Sequence, residues 1–184
     1  MAYETVIESA VIDQPMIAAA RLDLRPLRGS DAGLIAMNAG DVRVAWSTPT
    51  IPHPFPPGAA EALIARAQAE GRAEDIWAID GTRAGGSEVM GLVGLTRVDV
   101  GQSEIAYWVV PAWWNTGIAS AAVEAILAAN PHAARTVFAS VFQDNAASAR
   151  VLTNCGFQYL GDAESYCVAR GANVPTWTYS LKMA

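Results

Sequence analysis

The stretch Glu104-Ile-Ala-Tyr-Trp-Val-Val-Pro-Ala-Trp-Trp-Asn-Thr-Gly-Ile-Ala-Ser, residues 104–120, reads as a strand that turns sharply into a helix. From Gln102 to Val110 the residues alternate, with Glu104, Ala106, Trp108 and Val110 on one face and Ile105, Tyr107 and Val109 on the other. Both faces are largely apolar, so the strand is expected to be central. Pro111 ends it, and Gly117 stands at the start of a helical segment running from about Thr116 to Ala129, before Asn130-Pro131. A turn of this kind presents several backbone N–H groups without intrahelical partners at the positive end of a helix dipole, which is a cradle for an anion. Gly117 allows close backbone approach, Ala119 keeps the first turn uncrowded, and Asn115 tolerates positive φ. Strand, glycine turn and helix is also an ordinary structural connection. The segment has neither GxxxxGK[ST] nor GxGxxG, which excludes a P-loop and the dinucleotide fingerprint.

Downstream, Thr136–Phe142 is expected to be a strand and Ala146–Cys155 a helix stopped by Gly156. Asn145 is placed to cap that helix, and Ser148 falls one turn later, on the side of Leu152. Taken alone, Ser148 reads first as a helix-start serine bonded back to its cap. Upstream, Arg21–Leu27 alternates as a first strand, with Leu22 and Leu24 facing opposite to Asp23 and Arg25. Ser30 or Asp31 opens a short helix that stops at Gly40, and a second short helix runs from Asp41 to Trp46. Five prolines between Thr48 and Gly58 impose an extended loop, and Ala59–Glu70 is a third helix. Ile76–Ile79 and Val89–Val98 are hairpin strands, and Thr176–Leu181 closes the chain as a last strand. The pattern predicts one α+β (α/β mixed) domain with a mixed, mainly antiparallel sheet flanked by helices. Residues 21–184 form this domain and residues 1–20 an N-terminal extension; its Met16–Ala20 segment fits a strand, a helical turn, or an arm on a second copy in a homodimer.

The 184 residues are 52% apolar and 16% charged, enough for one sizeable core. A net charge of −6 and a single lysine, Lys182, argue against direct nucleic-acid binding. Cys155 and Cys167 lack the spacing of a zinc or redox site, so no metal is expected. Glu4, Glu8 and Asp13 precede the first basic residue, Arg21, the wrong charge order for a targeting segment, and no apolar run reaches the ~20 residues a bilayer span needs. A cytoplasmic protein without membrane association is the expectation.

Together, residues 104–122 and the later Asp144-Asn-Ala-Ala-Ser-Ala-Arg-Val-Leu-Thr-Asn-Cys-Gly-Phe resemble the GNAT superfamily of N-acetyltransferases. Arg21-Leu-Asp-Leu-Arg-Pro-Leu and Tyr179-Ser-Leu resemble its RimJ/RimL branch, which acetylates the N-termini of ribosomal proteins. The resemblance implies a GNAT fold and acetyl-CoA as co-substrate. It implies pantetheine along Trp108, Val109 and Val110, and pyrophosphate on the backbone of Asn115, Thr116, Gly117, Ile118, Ala119 and Ser120. Asn145 would orient the cofactor and Ser148 protonate the departing thiolate. Glu104 is a candidate base and Tyr166, on the late loop, a candidate proton donor, although each residue also reads as merely structural. The chain departs from the family's Q/R-x-x-G-x-G/A turn at Trp114, and Asn115 stands where the branch has Gly. The acceptor would be a protein N-terminus or a small amine, entering through an aromatic mouth of Trp46, His53, Phe55, Tyr166 and Trp177. A non-catalytic acyl-CoA-binding or sensory module of the same fold is the alternative.

Overall fold

The computed structural model describes residues 14–184. The charge order read from Glu4, Glu8 and Asp13 therefore lies outside the described residues. The elements in chain order are β1 (Ile17–Ala18), β2 (Asp23–Pro26), α1 (Ala32–Ala39), α2 (Val42–Trp46), α3 (Ala59–Ala67), β3 (Glu74–Asp80), β4 (Gly91–Asp99), β5 (Gln102–Val109), α4 (Ile118–Ala129), β6 (Thr136–Phe142), α5 (Ala146–Asn154), β7 (Gln158–Cys167) and β8 (Ala172–Lys182). The strands form one sheet in the order β1-β2-β3-β4-β5-β6-β8-β7. Every pairing is antiparallel except β5 with β6, which is parallel. The expected mixed, mainly antiparallel sheet is present, with β5 inside it. Of the alternatives for Met16–Ala20, the strand is found: Ile17 and Ala18 pair with Leu24 and Asp23.

Alternation along the strands sorts the core into two layers. Trp77, Val93, Leu95, Ile105 and Val109 face α4 and α5 and meet Ile118, Ala122, Val123 and Leu152. On the other face Ile76, Ala78 and Leu92 meet Ile35 of α1 and Ala60, Ile64 and Ala67 of α3. The period-3.6 stripe read in residues 59–70 is thus the buried face of α3, although Leu63 is only half-buried. The parallel β5–α4–β6 unit crosses over on the α4 face, as a strand pair that cannot be joined by a hairpin must.

Two features differ from the sequence expectation. The segment before the last strand is no loop: Gln158–Cys167 is a full strand, β7, so Tyr166 sits on a strand rather than on a late loop. It escapes a period-2 reading because it is an outer strand, exposed along nearly its whole length, with no buried face to impose alternation. The second is ionic. Arg25, expected on the wet side of β2, is 3% exposed. Its guanidinium donates to both oxygens of the buried Asp31 at 2.8 Å, to Asp80 at 2.7 Å and to the Glu88 carbonyl at 3.0 Å. Asp31 also accepts the Arg28 N–H at 2.8 Å, closing the chain's entry into α1.

A second polar hub lies at the opposite end of the sheet. Asp75 receives Arg72 at 2.7 Å, Arg97 at 3.5 Å and His132 Nε2 at 2.8 Å, while His132 Nδ1 and the Ser103 hydroxyl are 3.0 Å apart. His132, in the turn after α4, is a buried connector whose side chain is 1% exposed. One neutral tautomer satisfies both contacts: Nε2–H donates to Asp75 and Nδ1 accepts from Ser103. Burial, aided by Arg97 and Arg72, pushes the imidazole below its ordinary value near 6.5 despite Asp75. The folded state therefore resists the proton that the unfolded chain accepts, and stability falls as pH drops through about 6.5. His132→Gln should show a smaller loss of Tm between pH 7.5 and 5.5 than the parent chain. Equal losses in thermal melts would remove His132 from the pH response.

Candidate active site

Beyond Glu104 the sheet comes apart. β5 and β6 pair only through Gln102↔Thr136, Ser103↔Val137 and Glu104↔Phe138. Past that point β5 stays with β4 as far as Gly91↔Val109, and β6 stays with β8 as far as Phe142↔Thr176. The Val110 N–H donates to the Met90 carbonyl at 2.8 Å, which fixes the antiparallel alternation. The backbone groups of Tyr107 and Val109 consequently turn away from β4, into the gap that β6 has left. Both helices that follow these strands begin at that gap.

Their starts are built differently. At α5, Asn145 is the N-cap and its Oδ1 accepts the Ser148 N–H at 3.2 Å. The helix is thus capped by Asn145, and the Ser148 side chain is not needed for that task. Tyr107 donates its hydroxyl to the Ser148 carbonyl at 3.1 Å and ties this first turn to β5. Burial raises the Tyr107 phenol above its ordinary value, which keeps it a donor. At α4 the N-cap is Gly117, with φ 82° and no side-chain cap. The N–H groups of Ile118, Ala119 and Ser120 thus have no intrahelical partner. Nothing lies within 4 Å of where a Cβ on Gly117 would stand, so the glycine is required by its backbone angle and not by crowding. Asn115 also takes a positive φ, 59°, as its residue type allows.

These pieces enclose a cleft of about 580 Å³. Of the sequence candidates, Trp108, Val109, Asn115, Gly117, Ile118, Ala119, Ser120, Asn145 and Ser148 line it. Val110 and Thr116 do not: the Val110 N–H is used by Met90, and Thr116 turns its hydroxyl to the Trp113 carbonyl. Glu104 is half-buried at the last paired rung, between Thr96 and Phe138, and is outside the lining. Tyr166 is 56% exposed on β7 and likewise outside it. The expected aromatic mouth does not assemble, because Phe55 packs beneath α1 and α2 and Trp177 packs on the α4-side core. The aromatic lining comes instead from Tyr107, Trp108, Trp113 and Trp114.

Sequence reasoning missed the wall formed by Val44, Ser47 and Thr48, and the cations Arg150 and Arg170. Arg150 could have been found, since it lies two residues beyond Ser148 in the same motif. Arg170 gave no signal, because its partners are distant in sequence: Asp144 at 2.6 Å and the Trp46 carbonyl at 3.0 Å. Its guanidinium lies over Phe142 at 5.0 Å and Trp46 at 5.5 Å. Arg170 holds Asp144 below the usual carboxylate range. Near α4, Cys155 has its thiol pushed up to about 11 by burial and by Glu124, which makes it a poor nucleophile.

The site therefore offers a row of helix-start N–H groups, an open strand edge and two arginines in an otherwise acidic chain, a set that fits an elongated, phosphate-bearing ligand. Gly117→Ala should cost about 1–2 kcal/mol of stability from the left-handed backbone alone. Gly117→Asn should cost less, as asparagine visits that region more readily. Equal losses for both in denaturant titrations would overturn the conformational account.

Comparison with known proteins agrees with this geometry. The family model described as an acetyltransferase (GNAT) domain matches residues 21–158. An uncharacterized N-acetyltransferase, YoaA of Bacillus subtilis (strain 168), is 30% identical over 109 residues, covering 57% of this chain and 60% of that relative's length. Mycobacterium smegmatis RimJ, solved with CoA-disulfide, superposes with a TM-score of 0.80 at 20% identity, over 93% of this chain and 88% of that one. Spermidine N-acetyltransferase from Vibrio cholerae, solved with CoA and spermine, gives 0.74 at 16% identity, over 89% and 96%. At such identities the structural likeness is one of fold, whereas the family match spans most of the sequence: the chain belongs to the GNAT acetyltransferase domain family.

Proposed function

We propose that the chain transfers the acetyl group of acetyl-CoA to a primary amine within one ternary complex. The observation that carries this reading is the parting of β5 from β6 beside an uncapped, glycine-started helix. The residues present fit the ligand. The α4 N–H groups and Arg150 suit its phosphates, and the outward backbone of Tyr107 and Val109 suits its amide-bearing arm. When bound, acetyl-CoA supplies a thioester, an acetyl donor with a leaving thiol of pKa about 8.5.

The chain's own groups take three roles. The Val109 N–H donates to the thioester oxygen and stabilises the charge that develops there. Ser148, whose hydroxyl is not engaged in capping α5, delivers a proton toward the sulfur. Asn145 spends its Oδ1 on the cap and keeps its Nδ2 donors for the ligand. The ammonium proton leaves through water, with Glu104 as its final acceptor. Asp144 suits that task poorly, because Arg170 lowers its basicity. Tyr166, outside the cleft, is given no part in the transfer.

For the acceptor we infer a protein N-terminus, as in the RimJ/RimL branch, ahead of a polyamine. Among the described residues the one carboxylate lining the cleft is Asp144, already paired with Arg170, so multiple positive charges find little to hold them. The exposed edge strand and the two-residue β1 leave room for assembly into a homodimer, and the reading places the chain in the cytoplasm.

Saturating acetyl-CoA should raise the melting temperature, by the equivalent of about 2.7 kcal/mol at a hundred times its Kd. No shift would remove the ligand assignment. Release of free thiol, followed with N-terminal peptides and with spermidine, should favour the peptides. A shift in Tm with silence across a broad amine panel would instead support a binding module. Ser148→Ala should slow transfer on the order of 10²-fold with acetyl-CoA affinity nearly unchanged. Unaltered turnover in that variant would take Ser148 out of the mechanism.

A further inference from the structure

We propose that Trp114 is a positioning residue for acetyl transfer, its indole N–H replacing the departed β6 strand as the hydrogen-bond donor to Val109. The proposal rests on the acetyl-transfer reading given above. Where β5 is intact inside the sheet, its outward carbonyls are satisfied by the neighbouring strand. At Val109 that neighbour has gone, and Trp114 Nε1–H donates to the Val109 carbonyl at 2.7 Å. The indole is a donor only, so it masks the acceptor of this residue and leaves the Val109 N–H facing the cleft. An open carbonyl beside that N–H would repel a thioester oxygen. The masked edge presents donor character alone.

The bond also has a mechanical consequence. It closes the five-residue step from Val109 to Trp114, inside which Trp113 N–H donates to the Val110 carbonyl at 2.8 Å and Trp114 N–H to the Pro111 carbonyl at 3.2 Å. Strand end and phosphate turn are thereby fixed to each other. From outside, the Arg43 guanidinium lies 5.7 Å from the ring centroid, and Asp41 holds Arg43 through contacts of 2.6 and 3.0 Å. Asp41 is the N-cap of α2, the helix that carries Val44 into the opposite wall. A tryptophan retained for burial would not stand 41% exposed with its N–H committed to a strand carbonyl.

Trp114→Phe keeps an aromatic ring, though a smaller one, for Arg43 and removes the N–H. With an amine that turns over, kcat should fall about 10-fold while the KM for acetyl-CoA stays within about twofold. Trp114→Ala, which also loses the ring, should raise KM as well. An unchanged kcat in Trp114→Phe, or a raised KM with unchanged kcat, overturns the proposal. Should the variants fold poorly, the parent chain supplies a second readout. Its Trp114 indole N–H resonance, assigned by proximity to the Val110 amide, should exchange slowly and should move more with acetyl-CoA than with CoA. Fast exchange, or identical shifts with the two ligands, would overturn the proposal. A parent chain that releases no thiol with any amine overturns acetyl transfer and this role together, whereas normal turnover beside an equally fast Trp114→Phe overturns this role alone.

Discussion

Everything at the site depends on β5 and β6 ceasing to pair after Glu104↔Phe138. Two parallel strands that stayed together would consume each other's backbone groups and leave no entry between them. Here each strand is claimed by its other neighbour, β5 by β4 and β6 by β8, so the sheet stays continuous at one end and forks at the other. The helices that follow the two strands open their N-termini at the fork, where the uncapped N–H groups of α4 converge with the Asn145-capped start of α5 and the free strand edge. No charged side chain is required for that convergence.

The third wall is α2, and two arginines hold it. Arg43 reaches from its first turn to Trp114 on the α4 side, while Arg170 reaches from the β7–β8 turn to the Trp46 carbonyl at its end and to Asp144 beside α5. A five-residue helix is too short to be stable by itself, so these contacts and the buried Val44 and Ala45 set its position. A chain of net charge −6 nevertheless places two arginines, Arg150 and Arg170, and one carboxylate, Asp144, in the cleft lining. Net charge describes the whole surface, while Arg150 and Arg170 act locally, at the cleft they line.

How far the sequence carried the reading follows from what each residue must satisfy. β5, the glycine turn, α4, β6 and the Asn145 cap were legible because each is fixed by local chemistry: alternation, a required positive φ, a capping oxygen. The cleft lining along β5, α4 and α5 was therefore readable almost residue by residue, apart from Val110 and Thr116, whose groups are used elsewhere. The wall formed by Val44, Ser47 and Thr48 was not. α2 was found as a helix, but its place over the cleft depends on Arg170, 124 residues from Trp46. Arg25 was misjudged for the same reason, since a polar residue reads as exposed until its distant partners are known. β7 was missed because an exposed outer strand bears no hydrophobic rhythm.

Trp114 shows why a departure from a family pattern must be weighed by chemistry rather than by letter. The polar residue usual at that position implies a side-chain contact to phosphate, and an indole there suggests a damaged site. The donors that matter most for an anion at a helix start are backbone N–H groups, and those of Ile118, Ala119 and Ser120 are indifferent to the side chain at Trp114. What the substitution changes is the strand end, where the indole supplies a hydrogen bond that a guanidinium or amide turned toward phosphate could not make at the same time. The indole thereby ties the turn to the strand end at Val109. On the proposed reading the phosphates fall to the α4 backbone and Arg150, and the indole shapes the strand end at Val109.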